Sequence, residues 1–269
     1  SLGFDRIFQI TGNRPDPYFL AAKTLWFKNH EPHLLARTHQ FVQVNGYINF
    51  RLTGLYAVDP THAALMQLWH RASGEWSAEM CEACGIDLAQ LPACCPGHQV
   101  LGEVTPAAAQ ETGLRPGTPV MVGMIDAVAA ALEAGVTDTG TAAEMTGTST
   151  VLMIPNKSGM TEASLIAIPH VVPDTHMLVG AIVASGASLN WYCEQFGLLD
   201  ADVFDLLTQQ AARIPPGSDG VIFLPYMMGE RSPLVATQIT SRSSSSSHVC
   251  SVGLIEVALN SDWSKGTPT

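Results

Sequence analysis

The sequence predicts an α/β fold, because strand-like apolar runs alternate with helix-like segments along most of its length. The clearest of these strand-to-helix units lies near the middle of the chain. Val120–Val122 is an apolar run typical of a buried strand, and the Ala-rich segment Ala127–Ala134 favours a helix. The strand-like runs Val100–Val104 and Met177–Val183 are each followed by a helix-like segment in the same way. Repeated strand-to-helix units indicate a sheet flanked by helices.

The other elements follow in chain order from capping and turn residues. Gly54 and Gly85 each end a predicted helix, and Asp59 is a candidate helix cap. Before Val100 the predicted elements are a helix opening near Pro17, a strand at Gln40–Val44, and helices at Tyr47–Thr53 and Ser77–Cys84. After Ser149 they are strands at Val151–Ile154 and Val221–Leu224, and helices from Ser185 to Phe196 and at Asp202–Ala212.

Turn and low-complexity segments indicate the domain organisation. The turn Asn156–Gly159 lies between two strand-like runs, so we predict a boundary there, with domains at 1–157 and 158–236. Ser243–Ser247 is an unbroken serine run, which favours a linker or disorder. Residues 237–269 are therefore predicted to be an unrelated or disordered tail.

Composition excludes several classes of function. The chain has 269 residues, of which 46% are hydrophobic, so it can bury a substantial core. Its formal net charge of −11 argues against general nucleic-acid binding, which needs basic surface. The longest apolar runs are far shorter than the ~20 residues of a membrane span, and no signal peptide is visible after Ser1. We expect a cytoplasmic protein without nucleic-acid or membrane partners.

Four cysteines lie close together in the sequence and could indicate a zinc site. They are Cys81, Cys84, Cys94 and Cys95. The spacing fits poorly, because Cys94 and Cys95 are adjacent rather than separated by two residues. We therefore expect reduced thiols and no metal site, which also fits a cytosolic compartment.

One carboxylate and one turn carry candidate chemistry. Asp126 is the only charge between the strand-like run at Val120 and the helix that follows. Shortly afterwards, Thr146–Ser149 forms a glycine and hydroxyl turn whose backbone N–H groups could face a phosphate. The pairing favours phosphoryl transfer to a hydroxyl, with Asp126 at the mouth of a strand taking the proton.

Simpler interpretations of the same residues remain open. Asp126 precedes an Ala-rich run and could be only a helix cap. Thr146–Ser149 resembles many turns between strands. Asp59 could be a cap or a sugar contact, and the cap is favoured.

Four segments together resemble one family of enzymes. They are Val44–Gly54 (VNGYINFRLTG), Gly123–Asp126 with its Ala-rich helix, Thr146–Ser149 (TGTS), and Pro215–Pro233, which contains LPYMMGERSP. In this order they resemble the FGGY carbohydrate kinases, and the xylulokinase-like members above all. The resemblance implies two ribonuclease H-like domains of the actin and hexokinase type, which close on ATP and a sugar.

The resemblance also implies residue roles. Asp126 would be the general base, Gly147 and Thr148 would approach the γ-phosphate of ATP, and Gly229–Arg231 would lie on the lip of the cleft. The implied reaction is ATP-dependent phosphorylation of a small-molecule sugar or polyol, with ATP and Mg²⁺ as cofactors. Residues 1–157 would be the later part of the N-terminal kinase domain, and 158–236 the beginning of the C-terminal one.

The resemblance is incomplete at both ends. No Asp-x-Gly-Thr turn, which holds Mg²⁺ and phosphate in the family, precedes Leu2, and 237–269 does not resemble the family's adenosine site. We therefore expect the chain alone not to turn over sugars. An open sheet edge near Val221–Leu224 would favour a homo-oligomer or aggregation. A second hypothesis stays open, in which a non-catalytic kinase remnant or fragment keeps the fold and binds a sugar or a partner chain.

Overall fold

A computed structural model describes residues 2–198 and 202–226, and in them the chain is α/β, as the sequence predicts. The helices are α1 Phe4–Thr11, α2 Leu20–His30, α3 Pro32–Arg37, α4 Val44–Thr53, α5 Pro60–Met66, α6 Ala78–Cys84, α7 Pro106–Thr112, α8 Asp126–Glu133, α9 Ser185–Gln195 and α10 Val203–Ala211. The strands are β1 Ala57–Val58, β2 Trp69–His70, β3 Glu75–Trp76, β4 Ala93–Cys94, β5 Val100–Glu103, β6 Pro119–Met121, β7 Ala143–Thr146, β8 Thr150–Asn156, β9 Ile166–Pro169 and β10 His176–Ile182.

The chain divides into two compact units. Unit 1 consists of Ser1–Glu144 and Leu152–Gly180, and unit 2 of Met145–Val151 and the described residues from Ala181 onward. In the described ranges, no helix has the length and apolar character needed to cross a bilayer.

The strands form one sheet of four strands and three short pairs. The larger sheet has the order β7–β8–β10–β9, and β9 and β10 are antiparallel. The pairs β2–β3 and β5–β6 are antiparallel, whereas β1 and β4 run parallel. In the β5–β6 pair Val100 lies opposite Met121, so the loop after β6 begins beside the start of β5.

Capping residues set the ends of the helices where the sequence predicts them. Asp59 is the N-cap of α5, and its side chain accepts hydrogen bonds from the backbone N–H groups of Thr61 and His62. Ser77 caps α6 through Met80 in the same way. At the end of α4, Gly54 has a φ of 77°, a left-handed conformation that favours glycine.

The apolar residues around α8 form part of the core of unit 1. Val122, in the loop after β6, is 1% exposed, and Val128 on α8 is fully buried. Ala131, one turn further along α8, is also fully buried. This burial fixes the inner face of α8 and leaves its first residue, Asp126, on the exposed side.

Two predicted strands are wrong. Gln40–Val44 is not a strand, because its extended residues lead into α4, whose N-cap is Gln43. Val221–Leu224 has no strand conformation either. The prediction of an open strand edge at that segment therefore loses its basis. Conversely, α1 and β9 are elements that the sequence analysis did not predict.

Several predictions concern residues outside the described ranges. They are the lip segment Gly229–Arg231, the tail 237–269 and the serine run within that tail. These remain predictions.

Candidate functional site

The carboxylate of Asp126 is exposed at the first residue of α8. The strand β6 ends at Met121, and four residues connect it to α8. The N-cap position belongs to Ile125, whose extended backbone has φ −64° and ψ 141°. The Oδ1 atom of Asp126 accepts a hydrogen bond from the N–H of Ala127 at 2.7 Å. Asp126 is therefore not the N-cap, although one of its carboxylate oxygens does accept a backbone N–H of the first helical turn.

Residues 122–126 are called the Asp126 loop below. A side chain of α4 holds the first residue of this loop. Asn49 on α4 is 8% exposed, and its Nδ2 atom donates to the carbonyl oxygens of Met121 (3.2 Å) and Val122 (2.9 Å). One amide group thus donates to two consecutive carbonyls at the end of β6. It fixes the point at which the chain leaves β6.

A close approach of two backbones holds the next part of the Asp126 loop. The N–H of Gly123 donates to the carbonyl of Gly97 at 2.9 Å, and the N–H of Val122 donates to that of Gln99 at 3.0 Å. Gly97 has no room for a side chain, because a Cβ there would overlap the carbonyl oxygen of Gly123. Gly123 itself has a φ of 84°, which few other residues adopt.

A buried polar network holds the end of the Asp126 loop. Asp59 and Thr61 are 0% and 2% exposed, and the Thr61 hydroxyl is hydrogen-bonded to the Asp59 carboxylate. The N–H of Ile125 donates to Oγ1 of Thr61 at 3.0 Å. The second carboxylate oxygen of Asp59 is 2.5 Å from Nδ1 of His62. The residue that precedes Asp126 is therefore tied to the N-terminus of α5.

Burial keeps the thiols of Cys94 and Cys81 protonated. Burial raises the pKa of Cys94 to about 12, and the charge of Asp59 adds to this rise. Burial also raises the pKa of Cys81 to about 11, with a further contribution from Cys84. A thiol with such a pKa is a poor nucleophile at neutral pH. Within the residues that the structure describes, no group of three His, Cys, Asp or Glu side chains is placed to hold a metal ion.

The turn Thr146–Ser149 belongs to unit 2 and is exposed throughout. The N–H of Gly147 donates to the carbonyl of Ser149 at 2.8 Å, which closes the turn on itself. Among the described residues, the N–H groups of Thr148 and Ser149 donate to no protein acceptor. An exposed turn with two free N–H groups can bind an anion such as a phosphate.

The N-terminus of α9 packs against this turn. The N–H groups of Gly186 and Ala187 donate to the carbonyls of Gly147 (3.2 Å) and Thr148 (3.1 Å). Gly186 must be glycine, since a Cβ there would overlap the carbonyl oxygen of Gly147. The Thr150 hydroxyl adds a hydrogen bond of 2.7 Å to Ser185. The carbonyls of the turn thus face α9.

The residues that hold the Asp126 loop were not found from the sequence. Asn49 lies in the segment VNGYINFRLTG, and Thr61 follows the predicted cap Asp59, but neither was singled out. Of the residues in this network, the sequence indicated a structural role for Asp59 alone, as a helix cap. Nothing local in the sequence indicates that Thr61 or Gly97 contacts the Asp126 loop.

Comparisons with known proteins agree with the fold. Residues 2–133 match the model of the FGGY family of carbohydrate kinases, N-terminal domain. The chain is 32% identical to xylulose kinase of Bacillus subtilis, over 85% of this chain and 46% of that protein. It is 26% identical to gluconokinase of the same organism, over 85% of this chain and 46% of that protein. The structure of xylulose kinase from Rhodospirillum rubrum aligns with a TM-score of 0.79 and 30% identity, covering 87% of this chain and 48% of that one.

The chain belongs to the FGGY family of carbohydrate kinases, whose fold is the α/β type of actin and hexokinase. The family and fold class inferred from the sequence are thus confirmed. The chain spans about half the length of the curated relatives it matches, with 46% of both the Bacillus subtilis and the Escherichia coli xylulose kinases covered.

Proposed function

We propose that this chain carries the part of a sugar kinase that activates the acceptor hydroxyl, with Asp126 as the general base. The observation that carries the proposal is an exposed carboxylate at the start of α8, on a loop held by Asn49, Gly97 and Thr61. A general base must be both reachable by its substrate and fixed in position. The exposure of Asp126 and the contacts that hold its loop support both requirements.

The chemistry is ATP-dependent transfer of a phosphoryl group to a sugar or polyol hydroxyl. The bond from the hydroxyl oxygen to the γ-phosphorus forms while the bond from that phosphorus to the leaving oxygen of ADP breaks. The hydroxyl proton moves to the carboxylate of Asp126. Oδ1 already accepts one hydrogen bond from Ala127, which makes Oδ2 the less engaged of the two oxygens for that proton.

Gly147 and Thr148 are proposed to approach the γ-phosphate of ATP. The free N–H groups of Thr148 and Ser149 on the exposed turn supply suitable donors. The family implies Mg²⁺ as well. Among the described residues, no group of three His, Cys, Asp or Glu side chains is placed to hold a metal ion.

Substrate class, compartment and domain organisation belong to the same proposal. The relatives named above act on xylulose and gluconate by name, which favours a small sugar or sugar acid as the acceptor. A polyol is the alternative acceptor in this proposal, the compartment is the cytoplasm, and the domain boundaries lie at 157 and 236.

The test is an ADP-release assay on the natural polypeptide that carries this chain. ATP, Mg²⁺ and either xylulose, gluconate or glycerol are supplied, and Asp126→Asn is compared with wild type. We expect sugar-dependent ADP release that Asp126→Asn reduces by about 10²- to 10⁴-fold in kcat, the usual contribution of a positioned base. Asp138→Asn is the matched control, because Asp138 is an exposed carboxylate paired with Lys157 at 2.6 Å.

Two results would contradict the proposal. ADP release that Asp126→Asn leaves unchanged would remove Asp126 from the mechanism. Sugar binding seen by calorimetry without turnover on any acceptor would favour the non-catalytic remnant instead.

A further inference from the structure

We propose that Thr61 is a positioning residue for the reaction: its hydroxyl links the buried Asp59 carboxylate to the backbone immediately before Asp126. This inference rests on the proposed function, because it concerns the geometry of the proposed base. It assigns to Thr61 a role beyond capping α5.

The direction of the hydrogen bonds in this network is fixed by its chemistry. A carboxylate can only accept hydrogen bonds, so the single proton of the Thr61 hydroxyl points to Asp59. The Thr61 oxygen is then left as an acceptor, and the N–H of Ile125 fills that role at 3.0 Å. A hydroxyl polarised by a carboxylate is a stronger acceptor, so each bond strengthens the next.

Capping of α5 does not require the bond between Thr61 and Ile125. The cap itself consists of the Asp59 carboxylate and the backbone N–H groups of Thr61 and His62. A valine at position 61 would keep that cap, since it would retain the backbone N–H. The Thr61 hydroxyl instead joins residues 64 positions apart in the sequence. Loss of the Thr61 hydroxyl should therefore affect the Asp126 loop and not the cap of α5.

The affected backbone lies directly before the proposed base. Ile125 has the extended conformation of an N-cap residue, and Asp126 begins the helix. Since Ile125 has no side-chain cap hydrogen bond of its own, the Thr61 contact holds its peptide N–H from outside the helix. Loss of that contact would let the start of α8 shift, and the Asp126 carboxylate would shift with it.

The expected signature is a loss in kcat rather than in substrate affinity. A displacement of about 1 Å at a reacting group can cost on the order of 100-fold in rate. We therefore expect Thr61→Val to lower kcat by about 10- to 100-fold with a nearly unchanged KM for the sugar. Thr61→Ser retains the hydroxyl and should restore most of kcat.

A double-mutant cycle distinguishes positioning from general stability. If Thr61 acts through Asp126, then Thr61→Val should have little further effect on the residual rate of Asp126→Asn. Thr24→Val is the matched control, because Thr24 is 1% exposed but its hydroxyl donates to Ala21 in its own helix at 2.8 Å. The control should leave kcat unchanged.

The experiment measures kcat and KM of these variants in the natural polypeptide that carries the chain. Equal kcat for wild type and Thr61→Val, or the same fold-loss from Thr61→Val with and without Asp126, would overturn the inference. If Asp126→Asn lowers kcat strongly and Thr61→Val does not, the role of Thr61 would be overturned while the proposed function would stand. No loss in Asp126→Asn would overturn the proposed function.

A second measurement applies if Thr61→Val does not fold. Hydrogen exchange on the wild-type protein should show the Ile125 amide protected, since its N–H is bonded to Thr61. Exchange of this amide at the rate of an unprotected residue would overturn the inference.

Discussion

The Asp126 loop and the Thr146–Ser149 turn are both candidate sites, but they are held in place by different means. The Asp126 loop is fixed by contacts from distant segments of the chain, namely the Asn49 amide, the Gly97 backbone and the Thr61 hydroxyl. The turn is fixed mainly by backbone hydrogen bonds within itself and to the first turn of α9, and the hydroxyl bond from Thr150 to Ser185 adds to them.

This difference indicates which substitutions each site can tolerate. A loop held by buried side chains depends on single polar groups, each of which leaves an unsatisfied partner when removed. A turn held mainly by its own backbone should tolerate most side-chain substitutions and should be most sensitive where two backbones meet, as at Gly186 and Gly147. The predictions below test this contrast, from the largest expected effect to the smallest.

The largest effect on stability should come from adding a methyl group at either backbone contact. Gly97→Ala and Gly186→Ala each place a Cβ against a backbone carbonyl, of Gly123 and Gly147 respectively, so the backbone must move. We expect each to lower the free energy of unfolding by about 1–3 kcal/mol, as overpacking does. Gly3→Ala is the control, because its Cβ would meet nothing within 4 Å. Denaturant unfolding that showed all three variants alike would contradict the assigned close approaches.

Removal of the Asn49 amide should destabilise the Asp126 loop. Asn49→Ala leaves the carbonyls of Met121 and Val122 without their donor, which costs about 1–3 kcal/mol of unfolding free energy. Asn29 is exposed on α2, so Asn29→Ala should cost far less. Urea titrations of both variants measure the difference. A similar loss of unfolding free energy in Asn49→Ala and Asn29→Ala would mean that Asn49 does not hold the loop.

In the Thr146–Ser149 turn, a substitution at Gly147 should impair ATP binding without lowering stability. A Cβ at Gly147 would have its nearest neighbour, the Ser149 carbonyl oxygen, at 4.0 Å, so Gly147→Ala has room. If the γ-phosphate approaches Gly147, the added methyl group should raise the KM for ATP by roughly tenfold, equivalent to about 1.4 kcal/mol. The melting temperature should stay the same. An unchanged KM would exclude a phosphate contact at this residue.

The smallest effect concerns two histidines of unit 1, His170 and His176. Burial lowers the pKa of His170 and His176 below the ordinary value of 6.5, and the charge of Arg71 adds to the effect at His176. The unfolded chain therefore binds protons that the folded chain does not bind. The stability that these residues contribute is present above pH 6.5 and is lost as the pH falls through their lowered values in the folded state. Unfolding free energies measured from pH 7.5 to 5 should fall, and His170→Gln with His176→Gln should flatten that slope.

Local patterns predicted much of the fold and the candidate base. The helix stop at Gly54, the cap at Asp59 and the helix after Asp126 all depend on residues adjacent in the chain, and all three are present. The predicted strand at Gln40–Val44 failed for a tertiary reason. An extended segment becomes a strand only beside another strand, and here Phe41 makes a single backbone hydrogen bond to Gln90, at 2.8 Å.

The support of the Asp126 loop could not be predicted, because it depends on which segments meet after folding. Thr61 and Ile125 are far apart in sequence, and a threonine after a capping aspartate is ordinary in itself. The same holds for Gly97, whose need for glycine arises only from the approach of Gly123. Local sequence thus indicated the proposed base but not the residues that hold its loop.

The most direct test of the account compares kcat with sugar affinity in wild type and Asp126→Asn. A base acts on the hydroxyl proton as the bond to phosphorus forms, so its loss should appear in the rate and not in ground-state binding. In the natural polypeptide that carries the chain, we expect kcat to fall by about 10²- to 10⁴-fold while the Kd for the sugar changes little. An unchanged kcat, or a loss of sugar binding with kcat retained, would contradict the assignment of Asp126 as the general base.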